Sequence, residues 1–344
     1  MERFGRIAFR LDGTAFTLAD AVLRSALSGQ WTAIEAGVRH GAAAEARAAA
    51  EGSPLTAAEI TAALREFRYE RNLIAADEAE AWLSAWDLST ETWKSAIVRR
   101  LLRHRWPELA NHNGPWAPTD EALAARVWAD LVCAGTLERL AADLAERAAV
   151  AGDTWRSVLL DDDVEPAAPL PPWVGIAASD ETVLRVRRME KAYADRRSRE
   201  LSDDKVRAAI ASRPLDWTRF EAAQLLLPSE PMAAEAALRV REDGDKLADV
   251  AADVGRPLDT WCGFLDGATG SLRSRLLGAS EGALIGPLPE EGGHLLIHVV
   301  SRRPPRADDP EVWAHAEERV WAEVASRAME AVQWETPHAR VTLG

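Results

Sequence analysis

The sequence predicts an α+β protein, mostly helical, with one small antiparallel sheet in its C-terminal half. Three observations predict it. Ala and Leu dominate while β-branched runs stay short, which favours helix over sheet. Amphipathic segments with recognisable caps follow one another through the first 160 residues. Residues 216–303 then change pattern and read β-α-α-β-α-β-β, with strands separated by helices as in an α+β unit.

Taken in order, "RIAFRLDGTAFTLADAVLRSAL" reads as a strand, a turn at Asp12-Gly13, a second short strand and a helix from about Thr17. The Ala-rich stretch 31–52 reads as helix. In "SPLTAAEITAALREFRYERNLI", Thr56 and Glu59 form a capping box, and Ile60, Leu64 and Phe67 share a face. Shorter helices follow in "DEAEAWLSAWDLS" and "STETWKSAIVRRLLRHRW", the latter with Trp93, Ile97 and Leu101 in register. Thr119 and Thr136 each open a helix that ends on Gly. The run "DDDVEPAAPLPPWVG" (161–175) carries too many prolines for helix or central strand and reads as a linker or a strap. Helices from Ser179 to about Glu200 and from Ser202 to before Pro214 come next. After the β-containing unit, "DDPEVWAHAEERVWAEVASRAMEAVQWE" reads as one long amphipathic helix with Trp313, Ala316, Val320 and Val324 in its stripe, and "ARVTLG" as a final strand. The implied organisation is 1–160 helical, 161–175 linker, 176–214 connecting helices, 216–305 the α+β unit and 306–344 a C-terminal helix packed on the helical part.

The chain has 344 residues, 47% apolar, enough for two or three domains with a real core. A formal charge of −14 argues against a nucleic-acid backbone as partner and suits a soluble protein, either one that meets basic peptides or one that the charge simply keeps in solution. No apolar stretch is long enough for a signal peptide or a membrane span, and the two isolated cysteines, Cys133 and Cys262, fit a reducing cytoplasm. Cys262 reads as a small buried hydrophobe. The 14 Trp read mainly as core. The chain lacks P-loop, GxGxxG, GxSxG and HExxH patterns, so no cofactor or metal is expected. His294 and His298 are four apart in a segment that reads as strand; they share a face but do not make a helical HxxxH metal pair.

Residues 217–305 resemble the parvulin-type peptidyl-prolyl isomerase domain, through "FEAAQLLL", "AEAALRVREDGDKLADVAADVG", "LLGASEGALIGPL" and "GGHLLIHVVSRRPP". The segment "LTAAEITAALREFRYERNLI" and the C-terminal helix resemble the helical part of SurA-like chaperones, in which N- and C-terminal segments pack together and the parvulin unit is inserted between them. The whole chain resembles parvulin-related proteins of bacterial systems that mature ribosomally made peptides. The resemblance implies a catalytic histidine pair, one from the first strand and one from the last. His294 matches the second; Gln224 stands where the first would be, able to hydrogen-bond to His294 but not to titrate. Leu226, Phe264, Leu272, Leu276 and Leu296 are the expected apolar peptide-binding residues. The expectation is therefore a peptide-binding, chaperone-like protein with a degenerate parvulin unit, its partners a peptide or unfolded segment, a precursor peptide or a modifying enzyme. The alternative is an active prolyl isomerase using His294.

Overall fold

The structure, a computed structural model, describes residues 3–111, 114–160, 170–268, 270–306 and 308–335. It is α+β, mostly helical, with two small antiparallel sheets where the sequence predicts one. The described residues fall into two compact units, one running up to Arg197 and resuming at Val324, the other Ser198–Glu323. The second unit is thus inserted, in sequence, between two segments of the first.

The first unit opens with a hairpin, β1 (Ile7–Leu11) and β2 (Thr14–Thr17), turning through Asp12 and Gly13, both at positive φ. Thr17 then caps α1 (Leu18–Leu27): its hydroxyl accepts from the Asp20 amide at 3.2 Å, and the Asp20 carboxylate accepts from the Thr17 amide at 2.7 Å. Next come α2 (Trp31–Glu51), α3 (Ala57–Glu70), α4 (Ala76–Ala85), α5 (Thr90–Arg105), α6 (Asp120–Cys133), α7 (Thr136–Ala151) and α8 (Asp180–Glu200). Thr56 and Glu59 form the predicted box on α3, and Thr119 caps α6. At α7 the cap is Gly135 in the left-handed region rather than Thr136, because α6 and α7 are joined by too few residues for an extended cap. The core of this unit is aromatic. Trp31, Trp82, Trp86, Trp93, Trp128 and Trp173 are all buried in it. Trp86 and Trp128 lie 6.1 Å apart between ring centroids, and the Trp128 indole donates to the Trp86 carbonyl at 2.8 Å.

Residues 161–169 of the Pro-rich run lie outside the described residues. Residues 172–174 make a short 3-10 turn whose Trp173 and Val174 are buried in the core, so this end of the run packs as a strap.

In the second unit, α9 (Asp203–Ser212) leads to β3 (Arg219–Leu227), α10 (Glu230–Leu238), α11 (Leu247–Asp253), β4 (Asp259–Phe264), α12 (Gly270–Gly278), β5 (Leu284–Glu290) and β6 (Gly293–Arg303). The sheet is antiparallel with order β4-β3-β6-β5. Helix α13 spans Pro310–Met329, ending earlier than the sequence suggests. It is followed by β7 (Gln333–Trp334), which joins the N-terminal hairpin to give the second sheet, β2-β1-β7. Trp334 is drawn there by Phe9, at 5.6 Å between ring centroids, and the Glu335 amide donates to the Ala8 carbonyl at 3.0 Å. The expected final strand "ARVTLG" lies outside the described residues. No helix among the described residues is long and apolar enough to cross a membrane.

Candidate functional site

The register of the four-stranded sheet decides what its side chains can do together. β3 and β6 pair Gln224 with Ile297, Leu225 with Leu296 and Leu227 with His294. Directly opposite residues share a face, and neighbours along a strand alternate. Leu225, Leu227 and Leu296 therefore point with His294 toward α10 and α11, into the core formed with Ala233, Ala236 and Val250. Gln224 belongs to the other face, that of Ala222 and Ile297, which packs against Leu276 of α12. Gln224 and His294 stand three residues apart along the strands, about 10 Å, and on opposite faces of the sheet. The hydrogen bond expected between them does not form. The His294 Nδ1 atom is buried without a hydrogen-bond partner among the described residues. His298 shares its face, opposite Ala223 and Leu284.

The expected peptide-binding residues do not converge either. Leu276 and Leu296 are fully buried, in two different cores on opposite sides of the sheet. Leu272 packs beside the first of these. Leu226 is exposed, and Phe264 stacks on His315 at 4.2 Å between ring centroids, against a third cluster around Trp217. His315 reaches both carboxylate oxygens of Asp266, at 2.8 and 3.0 Å. Cys262 is exposed, not buried as expected, because β4 is an edge strand with no strand on its outer side.

A second place was missed in the sequence. In the first unit a cavity of about 330 Å³ lies between α2, α5, α6 and α7. Its walls are apolar, with Ile34, Val38, Ile97 and Leu131 among them, but α5 supplies Arg99, Arg100 and Arg103 and α7 supplies Arg139. Gly37 and Gly41 of α2 make the room. A Cβ at Gly41 would sit 3.5 Å from the Arg99 Cβ, and one at Gly37 would sit 3.0 Å from the Arg103 guanidinium. This spacing of two glycines in an Ala-rich helix was the legible sign, since each costs about 1 kcal/mol relative to Ala in a helix interior.

The arginines differ in their partners. Arg99 is buried and donates to Asp130 at 2.7 and 2.9 Å and to Glu45 at 2.9 Å. Glu45 also pairs with Arg126. Burial works against the Arg99 charge, but Asp130 and Glu45 hold its pKa above the ordinary value. Burial lifts the Asp130 carboxyl above its usual range, with Arg99 pulling the other way. Arg103 donates only to the Gly37 carbonyl, at 3.3 Å, and its pKa is lowered by burial and by the neighbouring Arg100 and Arg99. Arg139 donates to the Ala134 carbonyl and the Thr136 hydroxyl. Arg100 has no hydrogen-bond or ion-pair partner among the described residues. The Cys133 thiol in the cavity wall is pushed up to about 12 by burial, so it stays protonated and is no nucleophile. No group of three or more His, Cys, Asp or Glu among the described residues could hold a metal ion.

No family model matches the chain, and no curated protein matches it.

Proposed function

We propose that the chain is a peptide-binding, chaperone-like protein whose inserted unit is parvulin-like in fold and holds extended peptide without isomerising prolyl bonds. The order β-α-α-β-α-β-β on one antiparallel sheet, inserted between two segments of a helical unit, supports the resemblance to parvulin and SurA-like proteins. The observation that carries the binding reading over the enzymatic one is the register: Gln224 and His294 occupy opposite faces and cannot act on one amide.

The same sheet offers a place for peptide. An edge strand presents unpaired amides and carbonyls, the template for adding a strand. At one edge β5 carries Pro287 and Pro289, which have no amide to donate. At the other, β4 has no proline, and Asp259, Thr260 and Cys262 are exposed. The Leu265 amide donates inward to the Thr218 carbonyl at 2.9 Å. Alternation along an antiparallel strand then turns the amides of Thr260, Cys262 and Phe264 outward. The Trp261 indole lies over Gly263, where a Cβ would approach it to 2.7 Å, and keeps this edge extended and shielded on one face.

The test is anisotropy of a labelled extended peptide with the full chain. Cys262→Pro removes one outward amide and leaves the β3 ladder intact, and is expected to weaken binding about five- to tenfold, while Cys262→Ser leaves it unchanged. The same peptide N-methylated on alternate residues is expected not to bind the unaltered protein. Equal binding of methylated and unmethylated peptide contradicts strand addition.

A further inference from the structure

We infer that the cavity between α2, α5, α6 and α7 is a binding site for a carboxylate carried on an apolar body. This goes beyond the peptide-holding reading: it concerns the other unit and stands or falls separately.

Charge is the first argument. The chain as a whole carries −14, yet the cavity lining gathers four guanidinium groups and one carboxylate, Asp130, with Glu45 pairing Arg99 from behind it. Asp130 is taken by Arg99. Arg100, Arg103 and Arg139 have no carboxylate partner. A partly buried cation without a counter-charge is costly, so its retention needs a compensating anion or solvent. Burial lowers the Arg103 pKa; Asp130 opposes that fall, and the like charges of Arg100 and Arg99 add to it.

Shape and wall chemistry are the second. About 330 Å³ lies at the small end of ligand sites and matches a body of one ring or a short chain. The apolar walls would receive that body, while planar guanidinium forks suit the two oxygens of a carboxylate. The apolar walls, which inorganic phosphate cannot use, favour a carboxylate on an apolar body over phosphate. Ala33, Ala134 and Arg139 are the exposed members of the lining, so the cavity opens past them with a cation at its mouth. Cys133 is held protonated, and the Thr136 hydroxyl accepts from Arg139, so the site is built for binding.

A free organic acid and the C-terminal carboxylate of a peptide share this chemistry. Titration calorimetry on the full chain with phenylacetate, phenylacetamide, inorganic phosphate and a tripeptide ending in Phe, as free acid and as amide, tests the site. Phenylacetate is expected to bind, with phenylacetamide and phosphate far weaker. Arg100→Ala and Arg103→Ala are each expected to weaken phenylacetate roughly ten- to a hundredfold. Arg100 makes no bond that folding needs, so its variant separates binding from stability. Competition by the free-acid tripeptide but not its amide would assign the site to peptide ends, and no competition to free acids. Binding of the acid and amide probes with equal affinity, undiminished phenylacetate affinity in Arg100→Ala and Arg103→Ala, or no binding of either carboxylate overturns the inference.

Discussion

Trp86→Ala is expected to destabilise the helical unit by about 3–5 kcal/mol. Trp86 is among the largest fully buried side chains and sits in a chain of rings. Phe67 meets Trp82 at 5.3 Å, Trp82 meets Trp86 at 6.5 Å, and Trp128 meets Phe4 at 5.3 Å between centroids. Its removal leaves a cavity walled by rigid rings that cannot collapse into it, and it disturbs the carbonyl that accepts from Trp128. Urea unfolding followed by far-UV circular dichroism measures the loss. A cost under about 1 kcal/mol would mean that the tryptophans are a surface for a partner rather than a core.

Arg99→Ala is expected to cost roughly 3–5 kcal/mol, because it removes the buried cation with which the half-buried Asp130 and Glu45 carboxylates are paired. The pH dependence has a definite sign. Burial already raises the folded-state pKa of Asp130 above 3.8, so the folded protein holds that proton more tightly than the unfolded chain. Stability contributed by this group therefore falls as pH rises through the folded pKa, and the penalty disappears below the unfolded one. Arg99 pulls that pKa down, so its removal moves the window upward. The deficit of Arg99→Ala against the unaltered protein is expected to shrink as pH falls toward 3.8. Arg99→Ala combined with Asp130→Asn is expected to recover part of it at neutral pH. A deficit independent of pH, with no recovery, would show that Arg99 acts only by filling space.

The helices were legible because each carries its own signals. Thr17 with Asp20 and Thr56 with Glu59 fix two starts from four residues apiece, and Ala63 and Phe67 bury the face that the periodicity marks. The β-containing unit was legible as an order of elements for the same reason. β7 was not, because two residues carry no period; Trp334 joins the hairpin only through Phe9, more than 300 residues earlier. The relation of Gln224 to His294 depends on register, and a shift of one residue moves a side chain to the opposite face. With both faces of the sheet covered by helices, apolar residues such as Leu276 and Leu296 give no sign of which core they enter. The cavity arises from four helices brought together by folding. Arg103 sits in the basic last turn of α5, beside His104 and Arg105, so along that helix alone it looks like an ordinary C-terminal cation.

Prolyl turnover on a panel of proline peptides, measured without a coupling protease for the unaltered chain, Gln224→His and His294→Ala, tests the central claim most directly. With the two positions on opposite faces, all three proteins are expected to match the uncatalysed rate, and a histidine restored at 224 is expected to gain nothing. Turnover by the unaltered chain that His294→Ala abolishes, or activity created by Gln224→His, would contradict the account and make the sheet an active site.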